Sequence, residues 1–90
     1  NTLGVQRIEK VSPSTIRIQI DSIARDIGVD ACKIGMLYHE TVVDTVAERI
    51  DRREIPNVVL DPVIMAKDGT RLLSAKGVDR MKRRLIPRSW

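Results

Sequence analysis

The chain has 90 residues, 42% hydrophobic and 31% charged, with a net charge of +4. This describes one soluble globular unit at the lower edge of domain size. It excludes a disulfide framework, because Cys32 is the only cysteine, and a membrane span, because no stretch approaches the ~18 consecutive apolar residues one needs. Residues 1–4 carry no basic-then-apolar targeting pattern, so the cytoplasm is the expected compartment.

In chain order, Val5, Ile8 and Val11 alternate imperfectly with polar residues, which predicts an extended edge segment over 5–11. Ser12 and Pro13 form an N-cap and first-turn pair. Ile16, Ile20, Ile23, Ala24 and Ile27 then recur at helical spacing up to Gly28, predicting a helix with one buried face. Residues 30–37, Asp-Ala-Cys-Lys-Ile-Gly-Met-Leu, are mostly apolar and read as a strand covered on both faces, with Cys32 a small buried hydrophobe.

From about Thr41, Val42, Val43, Val46, Ala47 and Ile50 return to helical spacing, with acids early and Arg49, Arg52 and Arg53 late, until Pro56 blocks continuation. Residues 57–61, Asn-Val-Val-Leu-Asp, form a second buried strand. Strand, helix and strand make a β-α-β unit, hence two parallel strands. Residues 66–70 read as a polar loop, and Ser74 caps a last helix with Val78, Met81 and Leu85 on one stripe, ended by Pro87.

The fold class is therefore α/β, and residues 1–90 read as a single partial domain. A parallel sheet is normally covered on both faces and extended by neighbours, whereas two strands and one edge segment are in hand. The expectation is an interior piece of a larger enzyme.

Ligands of open parallel sheets bind beyond the carboxyl ends of the strands. There the chain places Gly35 and Met36, then Asp61 and Val63. Glycine permits close approach to the backbone, Met36 and Val63 offer an apolar wall for a small ring, and Asp61 offers a carboxylate at the mouth. The plainer alternative is that Gly35 and Pro62 turn the chain while the others pack in the core.

Several segments carry a resemblance: residues 1–6, Asn-Thr-Leu-Gly-Val-Gln; 19–21, Gln-Ile-Asp; 30–37; and 58–63, Val-Val-Leu-Asp-Pro-Val, followed by Ala66-Lys67, Gly69 and Leu72-Leu-Ser74. In this order and spacing the chain resembles the hydroxymethylpyrimidine kinase/phosphomethylpyrimidine kinase family of thiamine biosynthesis, with pyridoxal kinase the nearest rival in the same ribokinase-like superfamily. The resemblance implies a β-α-β portion of a ribokinase-like sheet and phosphate transfer from ATP, with Mg2+, to hydroxymethylpyrimidine and its monophosphate. It implies Gly35, Met36 and Val63 at the pyrimidine, Asp61 facing the metal and phosphate region, and Lys67 meeting phosphate charge.

The chain departs from the family in two places. Where the family commonly reads Ala-Lys-Ser-Gly this chain has Asp68 after Lys67, an acid expected to weaken anion binding, and Gly77 falls in the first turn of the last helix; both suggest relaxed constraint. The family's amino-terminal Gly-rich segment and its Gly-Thr-Gly-Cys anion hole have no counterpart here, since no Gly-x-Gly occurs. No catalytic residue is assigned in this chain, Cys32 included, and neither ATP nor Mg2+ is expected to bind the isolated chain tightly.

Two other functions compete with a kinase piece. A non-catalytic module would pair its open sheet edges with another chain. The stretch 76–88 has six basic residues against Asp79 and would suit nucleic acid, but only Tyr38 and Trp90 are aromatic and no nucleic-acid motif is present. The expected partners are a small pyrimidine substrate and the remainder of the domain or another chain, with neither membrane nor nucleic acid.

Overall fold

The computed structural model describes residues 4–90; the first three residues of the Asn1–Gln6 motif lie outside them. Helix α1 spans Pro13–Asp26, strand β1 Cys32–Ile34, helix α2 Glu40–Arg52, strand β2 Val58–Leu60 and helix α3 Ala75–Arg80. From α3 the chain continues through a π-helical turn, Met81–Leu85, and a 3-10 turn, Ile86–Arg88. β1 and β2 are parallel, with Cys32 opposite Val58, Lys33 opposite Val59 and Ile34 opposite Leu60. The predicted β-α-β unit is thus present, with shorter strands.

Local chemistry explains the element boundaries. The Ser12 hydroxyl accepts from the Thr15 amide and Pro13 occupies the first turn of α1, while Gly28, at φ +77°, turns the chain beyond its end. Ser74 caps α3 by accepting from the Gly77 amide. Pro56 follows the end of α2, in agreement with its role as a stop.

α2 is the centre of the packing, with α1 along one side and α3 and its π-helical extension along another. The core is Ile34, Leu37, Val43, Ala47, Ile50, Val58, Leu73, Met81 and Leu85. Each fully buried Val or Leu contributes about 1.5–3 kcal/mol relative to exposure.

Three expectations about burial require correction. The strands are covered on one face only: Ile34 and Val58 point into the core, while the register partners Lys33 and Val59 are both exposed. Alternation of side chains across a strand makes this unavoidable when the helices lie on one side. α1 has no fully buried residue; Ile16 and Ile20 are half-buried and Ile23 and Ile27 are exposed. Cys32 is half-buried at the margin of the core, and that partial burial pushes its thiol pKa up.

Among the described residues no strand pairs with residues 5–11 and no backbone hydrogen bond reaches them from one, so the predicted edge segment is not seen as a strand.

α1 is fastened to α2 chiefly by charge. Asp21 accepts from Arg49 Nη1 at 3.1 Å on both oxygens and from Arg53 Nε at 2.9 Å. The hydrogen bond from Arg53, then those from Arg49, hold the Asp21 carboxyl down to about 2 against burial, which acts the other way.

Candidate functional site

The last ladder bond, Asp61 N–H to Ile34 carbonyl at 2.9 Å, sets the two strand ends side by side. Beyond β1 the chain passes Gly35 and Met36 to Tyr38, which has φ +69°, a left-handed conformation that L-residues rarely take. The Tyr38 carbonyl accepts from Ser74 N–H at 2.9 Å, and Tyr38 bridges in parallel with Leu73.

His39 caps α2: its Nδ1 accepts from the Thr41 amide at 3.2 Å, while Nε2 lies 3.2 Å from Glu40 Oε1. The same Glu40 oxygen accepts from Ser74 Oγ at 2.8 Å. Its backbone amide and the Ser74 hydroxyl lower the Glu40 carboxyl pKa, and the starts of α2 and α3 are joined.

Beyond β2 the chain forms a hairpin over residues 64–72, with the predicted polar loop 66–70 at its tip. Leu72 N–H bonds the Ile64 carbonyl at 2.8 Å, Met65 sits opposite Arg71, and Ala66 N–H bonds the Thr70 carbonyl at 2.8 Å. Gly69, at φ +90°, makes the turn, and Lys67 is exposed at its tip.

A cleft of about 380 Å3 opens between residues 8–11, Ile16 and Gln19 of α1, Met36–Tyr38, and Val42 and Val46 of α2. Its volume and largely apolar walls suit a small ring. Of the sequence-predicted residues, Met36 lines this cleft and Gly35 precedes it in the chain. Val63 and Asp61 stand at the end of β2, and Lys67 on the hairpin, outside the cleft lining.

Asp61 is highly exposed, with Lys33 Nζ 3.9 Å away as its ion-pair partner. Among the described residues no group of three or more His, Cys, Asp or Glu side chains is arranged to hold a metal. Sequence reasoning missed Tyr38 and the wall 8–11 as cleft residues. Gln19 was visible in the 19–21 motif but had been given no role.

Much of the charge in the last helix and its extension is paired. Arg80 and Arg84 pair with Asp44, Arg83 with Asp79, and Arg88 with both oxygens of Asp51 at 2.7 and 2.8 Å. Much of the basic stretch therefore serves to dock α3 and its extension on α2. No helix among the described residues is long and apolar enough to cross a membrane.

The phosphomethylpyrimidine kinase family model matches residues 1–90. The chain is 45% identical over 87 residues to the hydroxymethylpyrimidine/phosphomethylpyrimidine kinase of Escherichia coli, covering 97% of this chain and 33% of the relative. It is 42% identical over 90 residues to the Bacillus subtilis kinase of the same name, covering 100% and 33%. It thus spans about a third of the length of these curated relatives.

Among solved structures, the Clostridium difficile phosphomethylpyrimidine kinase superposes with a TM-score of 0.89 at 30% identity, covering 100% of this chain and 39% of that one. A chain described as the last common ancestor of HMPPK and PLK/HMPPK vitamin kinases superposes at 0.79 and 34% identity, covering 94% and 37%. The parallel pair, the helices around it and the strand-end segments are those of a ribokinase-like α/β fold, and with the family model matched from first residue to last, this chain belongs to the phosphomethylpyrimidine kinase family.

Proposed function

We propose that this chain is the central part of a kinase that transfers phosphate from ATP to hydroxymethylpyrimidine and then to its monophosphate in thiamine biosynthesis. Its contribution is one wall of the pyrimidine site, with Met36 on the wall of the cleft and Gly35 and Val63 assigned to the same substrate from the segments that follow β1 and β2. Met36 supports this most directly: it stands at the end of β1, half exposed, on the wall of a cleft of suitable size, within a chain matched throughout by the family model. The rest of the kinase, by this reading, covers the open face at Lys33 and Val59 and supplies the backbone amides that stabilise the phosphate in transfer.

Asp61 and Lys67 are assigned to the metal and phosphate region. Magnesium is commonly held by one or two carboxylates together with substrate phosphates, and the exposed Asp61 carboxylate offers one such ligand. When bound, ATP with magnesium supplies the phosphoryl group and offsets its charge. Lys67, at the hairpin tip, is free to neutralise phosphate oxygens, while the apolar wall orients the ring and excludes water from it.

The test is a chimera in which this chain replaces the matching 87 residues of the E. coli kinase. Met36→Ala and Val63→Ala are expected to raise KM for hydroxymethylpyrimidine several-fold with little change in kcat, because ground and transition states share these contacts. Asp61→Asn is expected to lower kcat with KM for the pyrimidine little changed. Pyridoxal, offered as a competing substrate, is expected to turn over less efficiently. An unchanged KM in Met36→Ala removes the assignment of this wall to the pyrimidine.

A further inference from the structure

Residues 4–11 have no helix or strand ladder, yet residues 8–11 form one wall of the cleft. Such a strap holds its place only by packing and by individual hydrogen bonds. Among the described residues one hydrogen bond ties it to another part of the chain: Val5 N–H donates to Asp68 Oδ2 at 2.9 Å. The other carboxylate oxygen, Oδ1, accepts from Thr70 N–H at 2.9 Å inside the hairpin turn. One carboxylate therefore joins the hairpin to the strap.

The backbone is shaped for this contact. Gly4 has φ +82°, and a Cβ there would lie 2.5 Å from Asp68 Oδ2, so the first residue of the strap must be glycine for the carboxylate to come so close. The two amides, Val5 first, also lower the Asp68 carboxyl pKa, keeping it in the ionised form that accepts both bonds. The serine common in the family at this position has a single oxygen and spans the two amides less well.

We infer that Asp68 is a latch, a positioning residue that fastens the 4–11 strap to the 64–72 hairpin and so fixes the cleft wall and the Lys67 loop relative to one another. Beyond placing a charge next to Lys67, the Asp68 carboxylate is thus engaged by two backbone N–H groups. The bearing on substrate rests on the assignment of the cleft to the pyrimidine.

Amide hydrogen exchange on the full chain tests the latch itself. Asp68→Ala is expected to speed exchange at the Val5 amide by about tenfold, the loss expected for a charge-assisted hydrogen bond. Asp68→Asn, which retains an acceptor, should fall between it and the parent, and Lys67→Ala should leave the strap unchanged. Unchanged exchange in Asp68→Ala, or an equal rise in Lys67→Ala, overturns the latch. In the E. coli chimera, Asp68→Ala is expected to raise KM for the pyrimidine about tenfold while kcat falls less. If exchange rises but KM does not move, the latch stands and the placement of the pyrimidine in this cleft fails.

Discussion

On one side of α2, Val43, Ala47, Leu73 and Leu85 are between 0% and 1% exposed; on the other, Ile18, Ile23 and Ile27 of α1 keep 61%, 51% and 80%. The first side is sealed by apolar packing against the inner face of the sheet and against α3 with its extension. The second is held largely by the Asp21, Arg49 and Arg53 cluster. Apolar packing gains from each buried methylene and tolerates no vacancy, whereas a charged clasp fixes orientation and leaves the surface around it in water. The cleft opens along the charge-clasped side, between α1, α2 and the irregular strap, so the candidate binding wall lies away from the sealed core.

Substitutions on the two sides should separate them by size of effect. Leu85→Ala, at a fully buried position of the π-helical turn, should destabilise the chain by about 2–5 kcal/mol in urea unfolding. Gly77→Ala should cost about 1–3 kcal/mol, because the new Cβ would stand 2.6 Å from Leu73 Cδ1, a side chain itself 1% exposed and without room to retreat. A neutral result there would mean that Leu73 has slack and that the sealed side is less tight than its burial implies.

The charged clasp should respond to pH. The Asp21 carboxyl is at about 2 in the fold against an ordinary 3.8, so its stabilisation is present above the unfolded value and lost as pH falls from about 4 toward 2. Unfolding midpoints at pH 6 and pH 3 should therefore differ less in Asp21→Asn than in the parent. Ile27→Ser, at the open end of α1, should change stability by no more than about 0.5 kcal/mol. A larger loss there would show that α1 has an apolar partner.

The sequence made the caps and the β-α-β order legible because these are local signals. Ser12 before Pro13, Ser74 before the last helix and apolar spacing through α2 each report on a few neighbouring residues. The His39 cap escaped notice because histidine is not among the common capping residues, although the Thr41 amide needs only one acceptor.

What depended on distant neighbours was not legible. Whether residues 5–11 form a strand depends on a pairing strand, and whether Ile27 is buried depends on what lies beside α1. Gly77, taken for a relaxed position, is required by the closeness of Leu73 and Ser74, contacts within a few residues that nonetheless depend on how the hairpin delivers Leu73. At the site, Met36 was readable from the end of β1, whereas Tyr38 owes its place to the Leu73 bridge and Ser74 hydrogen bond.

Tyr38 shows how stability and recognition divide a single residue between them. Its backbone holds a left-handed angle that costs a non-glycine residue about 1–2 kcal/mol, while its side chain lines the cleft. Glycine at this position would relieve the backbone and remove the ring from the wall. A search for thermostable variants would therefore tend to select against the shape of the pocket here, and a search for tighter ligands would tend to retain the strain. The two kinds of selection, applied to the same codon, should drive it apart.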